Sequence, residues 1–360
     1  TMDRVWGIDA VMKNKSTTIY GNIVAFDESA KKEGLLYAGT DDGLIHSKDG
    51  DGNWAKMSSF PGVPDRTYVN QVLASLHDDN TVFAVFNNHK NGDFKPYVLR
   101  SNDKGASWIS ISGNLPERGS VYSIAQDHVN KDLLFAGTEF GLFFTVNGGE
   151  EWTQFTNGIP TVAIRDIALQ RRENDVVCAS FGRGFFIVDD YTALRELTPE
   201  LLEKEAHIFT IKEALMYVET NPQGGRGKGS QGESVYTAPN PEFGATFTYY
   251  VKEKPETLKE KRQKAEKDIK KEGGDVFYPT KEEIRGEAEE EKPYLLFIVK
   301  DDAGNEINKM KTGPNKGINR MTWNYRYATT SPVSLKSEEV GRYSSADDGQ
   351  LALPGIYTVE

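Results

Sequence analysis

Glu139, Arg165, Asp166 and Arg183 are the residues of this chain best placed to act on a ligand, because each stands at or beside the end of an apolar run. Two chemistries are open to them. Two carboxylates about 5–10 Å apart across a glycosidic bond supply the acid and the base or nucleophile of hydrolysis. Guanidinium groups instead grip a carboxylate through paired hydrogen bonds. Asp41 and Asp42 occupy a comparable place. No local motif joins any two of these groups, so the fold must bring them together. Ion pairing between neighbouring elements is the competing role for each.

Other constellations fail on spacing. The five histidines, at 46, 77, 89, 128 and 207, show neither an HExxH nor a Cys/His pattern. Asp49-Gly50-Asp51-Gly52-Asn53 imitates the start of a calcium loop, but Trp54 takes the obligatory glycine place and Phe60 the place of the bidentate Glu. Gly227-Lys228 invites a phosphate-loop reading, yet Gly229 follows where Ser or Thr is required. The single cysteine, Cys178, lies in the apolar run Val176 to Ala179 and reads as a small core residue. Nothing here asks for a metal or a cofactor.

The elements behind these residues repeat. Leu133 to Ala136 stops at Gly137-Thr138, Leu142 to Phe144 follows, and Leu35 to Thr40 with Gly43-Leu44-Ile45 copies the pattern. Each copy runs into a turn of one type: Ser47, Asp49 and Trp54; Ser101, Asp103, Gly105 and Trp108; Thr145, Asn147, Gly149 and Trp152. A short carboxylate or amide accepts hydrogen bonds from the turn backbone, Gly takes a positive φ, and Trp covers the hairpin. In the first copy Asp51 replaces the Gly, so its turn differs. The copies start 54 and 44 residues apart, which suits four-stranded propeller blades of about 40–50 residues.

These turns resemble the Asp-box of bacterial sialidases and sortilin-like β-propellers. With FPGVPDRTYVNQV, GTEFGLFF and Ser180-Phe181-Gly182-Arg183-Gly184, the chain resembles large secreted bacterial proteins of the sortilin-like, BNR-repeat, glycosyl-hydrolase-like kind. Many of those have His-Gly-Arg where this chain has Phe181-Gly182-Arg183, so no imidazole stands there. The resemblance implies an all-β chain: a partial β-propeller of about four Asp-box blades over 1–198, then a link and Gly-rich loop over 199–240. An immunoglobulin-like β-sandwich over 241–360 follows. It implies a bacterial, secreted or cell-surface protein whose partners are upstream blades of the same protein and a peptide, protein or carbohydrate ligand. Two functions fit: a non-catalytic binding or scaffold module, or part of a glycoside hydrolase with its catalytic acids mostly upstream.

Thr1 opens without a start and Ile356 to Glu360 stops within a strand, so the chain reads as cut at both ends; the resemblance implies that the blades are the C-terminal part of a larger propeller. A formal charge of −11 argues against nucleic acid, and no apolar stretch nears the ~20 residues of a membrane span. Leu194 to Leu197 is expected to complete the fourth blade. Lys252 to Lys292 holds 12 basic and 13 acidic residues, and the insertion at 252–293 reads as a solvated helical hairpin. Glu260–Lys264 should pair at i, i+4, and Thr280 with Glu283 should form a capping box.

Overall fold

The computed structural model describes residues 21–217, 241–329 and 349–360. The lead-in over 1–20 and the Gly-rich stretch Asn221 to Glu233 lie outside the described residues. The chain divides into two compact units between Leu197 and Thr198.

The first unit is a row of antiparallel sheets, each built from consecutive strands. The first holds β1 (Ile23–Glu28), β2 (Leu35–Thr40), β3 (Ile45–Asp49) and β4 (Ala55–Met57). The second holds β5 (Tyr68–Ala74), β6 (Val82–Asn87), β7 (Tyr97–Ser101) and β8 (Ile109–Ser110). The third holds β9 (Val121–Gln126), β10 (Leu134–Thr138), β11 (Gly141–Thr145) and β12 (Thr153–Phe155). The fourth has three strands, β13 (Ile164–Gln170), β14 (Asp175–Ser180) and β15 (Phe185–Val188).

Neighbouring sheets meet through their first and second strands, β1 and β2 on β5, β5 and β6 on β9, β9 and β10 on β13. They therefore converge on the first strand and splay towards the fourth, as the blades of a β-propeller do. The repeated Ala-Gly-Thr of β2 and β10 follows from this approach. A Cβ on Gly39 would stand 2.4 Å from the Val69 side chain, and one on Gly137 2.7 Å from the Ile164 carbonyl. Apolar side chains fill each seam: Leu35, Tyr37 and Ile45 against Val72, Phe86 and Leu99; Phe83 and Val98 against Ile124 and Phe143; Phe135 and Phe144 against Ile164 and Cys178.

The fourth strand expected at Leu194 to Leu197 does not form. Thr192–Glu196 is a short 3₁₀ turn instead. Ala193 and Leu194 are buried, and Arg195 forks onto the buried carboxylate of Asp127 at 2.9 and 2.7 Å. That pairing competes successfully with a ladder.

In the second unit, α1 (Pro199–Leu202) is capped by Thr198. β16 (Ala206–Ile208), placed by sequence in the link, pairs with β17 (Ala245–Val251). α2 (Leu258–Lys271) and α3 (Lys281–Glu289) both open with capping boxes. β18 (Leu295–Lys300), β19 (Glu306–Thr312), β20 (Gly317–Trp323) and β21 (Thr358–Val359) follow. Two three-stranded sheets result, β16-β17-β20 and β19-β18-β21. Phe247 and Tyr249 of one meet Phe297 of the other at ring distances of 5.0 and 4.9 Å.

The Glu260–Lys264 pair is absent. Glu260 turns back to the Thr257 N–H to close the cap, and Lys264 reaches Glu256 at 2.7 Å. The two helices are clamped instead by Arg262, which binds Glu287 at 2.5 Å and Glu266 at 2.6 Å.

Candidate functional site

Every first strand of the propeller row carries one bulge at the same place. Pairing skips Val24, Asn70, Tyr122 and Arg165, each directly after a β-branched residue, Ile23, Val69, Val121 or Ile164. A bulge frees one side chain from the ladder and re-aims it. The four bulges thus form a row at one end of the sheets, the end that also carries the turns from second to third strand. The box turns, between third and fourth strands, lie at the opposite end.

Three of the bulge residues touch in sequence. Asn70 Nδ2 donates to the Tyr122 carbonyl. The Arg165 guanidinium lies 3.7 Å from the centre of the Tyr122 ring and 5.0 Å from that of Phe181. The Tyr122 hydroxyl donates to Glu139. Burial, then that bond to Glu139, hold the Tyr122 phenol above its usual pKa, so it stays a neutral donor. Arg165 itself is exposed, and among the described residues its guanidinium has no hydrogen-bond or ion-pair partner. The turns beside the row each present an exposed phenylalanine, Phe94, Phe140 and Phe181 in the second, third and fourth sheets.

Of the four residues singled out by sequence, Arg165 and Glu139 therefore join through Tyr122. Asp166 is opposite Ala179 on the outward face of the fourth sheet and accepts the Ile167 N–H at 2.9 Å. Arg183 is exposed in the turn Phe181 to Gly184, whose two glycines hold φ of 74° and 72°. Asp41 is occupied by the Gly21 and Asn22 N–H groups, and Asp42 by the Thr40 hydroxyl. Tyr122, Asn70 and the phenylalanines are absent from the sequence-derived set. Aligning the four strand starts, Ile-Val-Ala, Val-Asn-Gln, Val-Tyr-Ser and Ile-Arg-Asp, places each bulge residue directly after a β-branched anchor.

The box turns do structural work. In the second sheet the Ser101 hydroxyl donates to Asp103 at 2.7 Å and accepts the Gly105 N–H at 2.8 Å, while Asp103 accepts the Ser107 N–H at 2.8 Å. Thr145, Asn147, Gly149 and Glu151 repeat this in the third sheet at 2.7, 3.1 and 3.0 Å. Trp108 and Trp152 do not merely cover their own hairpins; they are buried in the seam with the preceding sheet, and Trp152 Nε1 donates to the Ile111 carbonyl at 2.8 Å. The first turn differs. Asp49 faces Lys32 at 2.6 Å and Lys104 at 3.0 Å, and Trp54 is 47% exposed. Asp51 stands where the Gly is needed, and among the described residues no earlier sheet offers Trp54 a seam.

No family model matches the chain. Over 142 residues, 35% of this chain, it is 25% identical to a xyloglucanase of Hypocrea jecorina, and it spans 17% of that relative's length. Among solved structures it is similar to the GH74 xyloglucanase of Xanthomonas campestris, at 15% identity and a TM-score of 0.39, over 53% of this chain and 32% of that one. It is also similar to the extracellular domain of a hybrid two-component system of B. thetaiotaomicron, at 17% identity and a TM-score of 0.35, over 46% and 21%. YCF48 from Cyanidioschyzon merolae matches at 17% identity and a TM-score of 0.33, over 46% and 52%.

Proposed function

We propose that this chain is a non-catalytic, extracytoplasmic ligand-binding module of a larger sortilin-like propeller protein, with its ligand held at the bulge end of the sheets. The observation that carries this reading is the Arg165 guanidinium, stacked on Tyr122 and flanked by exposed Phe181 with no anion of its own. An arginine pre-ordered by ring stacking and left unpaired is suited to gripping a ligand group. The second unit, an immunoglobulin-like sandwich in this reading, carries the helical arm as a separate accessory.

Further blades of the same protein are its expected partners. The first residue of the third strand facing the next sheet is buried in three sheets, as Ile45, Val98 and Leu142, and is Phe185 in the fourth, 74% exposed. The bulge-preceding residue is buried as Val69, Val121 and Ile164, yet Ile23 of the first sheet is exposed. Both outer faces are thus built to a template whose cover is another sheet.

A second reading, part of a glycoside hydrolase, draws on the similarity to a xyloglucanase. One panel separates the two: hydrolysis and retention of soluble β-glucans, sialosides and peptides by the chain and by its Asp166→Asn and Arg165→Ala variants. Retention without turnover, lost in Arg165→Ala, supports the module. Turnover that vanishes in Asp166→Asn establishes the hydrolase.

A further inference from the structure

We infer that the ligand is an extended, largely neutral glycan lying across the second, third and fourth sheets, with one carboxylate seated on Arg165. This rests on the binding reading above and adds its chemistry.

Three features of the bulge end specify it. First, the presented groups form a row, one bulge residue and one turn per sheet, so a ligand that uses them spans several blades. Second, the turns in these three sheets each expose a phenylalanine, Phe94, Phe140 and Phe181. Aromatic faces repeated from blade to blade suit the apolar faces of sugar rings spaced along one glycan chain. Third, Arg165 is the charged residue among the four bulge positions, and among the described residues its guanidinium has no anion. Glu139 sits one side chain away through the Tyr122 hydroxyl, and the chain as a whole carries −11. That overall charge disfavours a polyanion, whereas a carboxylate among neutral sugars meets the unpaired guanidinium. The neighbouring Tyr122 and Phe181 rings also help hold the guanidinium in place, ready for paired hydrogen bonds to a carboxylate.

The test uses the whole 360-residue chain in titration calorimetry. The probes are neutral cello-oligosaccharides of increasing length and the same oligosaccharides with one glucose oxidised to glucuronate at C6. The oxidised form is expected to bind more tightly, and both to tighten with length. Arg165→Ala should weaken the oxidised form by about 10- to 100-fold, the range of a charge-assisted hydrogen bond, and so abolish its preference over the neutral form. Phe140→Ala should weaken both by about 2- to 10-fold. Raising salt on the unaltered chain should erode the preference for the oxidised form alone, a readout that needs no variant to fold.

Equal binding of both forms, insensitive to salt, overturns the carboxylate and leaves the module reading standing. Binding that does not grow with length overturns the extended ligand. No glycan binding, with capture of peptides through their C-terminal carboxylate, overturns the glycan and keeps the binding module. Absence of any binding removes both.

Discussion

At the scale of single residues, the hydroxyl of the second and third boxes is the hub that sequence reasoning assigned to the acid or amide. Ser101 bridges Asp103 and the Gly105 N–H, so Ser101→Ala removes an acceptor from a buried backbone donor. A loss of about 1–2 kcal/mol is expected in urea unfolding, with ligand retention intact because the boxes lie at the far end of the strands. Asp49→Ala, by contrast, removes only exposed lysine pairs and should leave the urea midpoint nearly unchanged. Equal losses at the two positions would show that the first box closes like the others. Cys178 makes a second residue-scale case. Burial alone pushes its thiol up to about 12, so native protein should resist maleimide at pH 8 and label fully in denaturant. The arginine and glutamate of the site were legible because charge stands out at a strand end. Tyr122 was not, because an aromatic in a β-rich run is indistinguishable from core until the register shows that pairing skips it.

At the scale of elements, the strands were legible because β-branched and aromatic runs broken by glycine have few other outcomes. The end of the fourth sheet was not. Leu194 to Leu197 has strand composition, but a partner 68 residues away in sequence, Asp127, holds Arg195 and decides the local conformation. The same blindness hid the true partners of Glu260 and Lys264. The Asp127 clamp should be visible in pH dependence. Burial acts to raise its carboxyl, but the Arg195 fork, the Asn130 N–H and the Tyr191 hydroxyl outweigh it and hold it below the usual value. A depressed folded pKa stabilises the protein above the unfolded value of about 4, and that stabilisation is lost as pH falls through the lower folded value. Arg195→Ala leaves Asp127 buried and uncompensated, and should cost about 3–5 kcal/mol near neutral pH. The deficit should shrink in acid, where protonation of Asp127 relieves it. A deficit that stays constant from pH 7 down to pH 4 would mean that the clamp is not electrostatic.

At the scale of the molecule, the propeller unit is a stack whose two end sheets are made of the same stuff as its interior. Leu142 and Phe185 occupy one template position, fully buried in the third sheet and largely exposed in the fourth, and Ile23 stands in the same relation to Val69. Exposed apolar faces of matching shape favour association. Purified alone, the chain is therefore expected to self-associate with rising concentration. A double variant, Ile23→Glu with Phe185→Glu, should return the light-scattering mass to that of a monomer. Because both side chains already face solvent, the midpoint of thermal unfolding should move by less than ~2 °C per site, as for ordinary surface substitutions. In a protein where further blades cover these faces the same two charges would be buried, and its unfolding midpoint should drop by many degrees. Scattering that is unchanged by the double variant would assign self-association to another surface. A large loss of stability in the 360-residue chain would show that the faces are already covered.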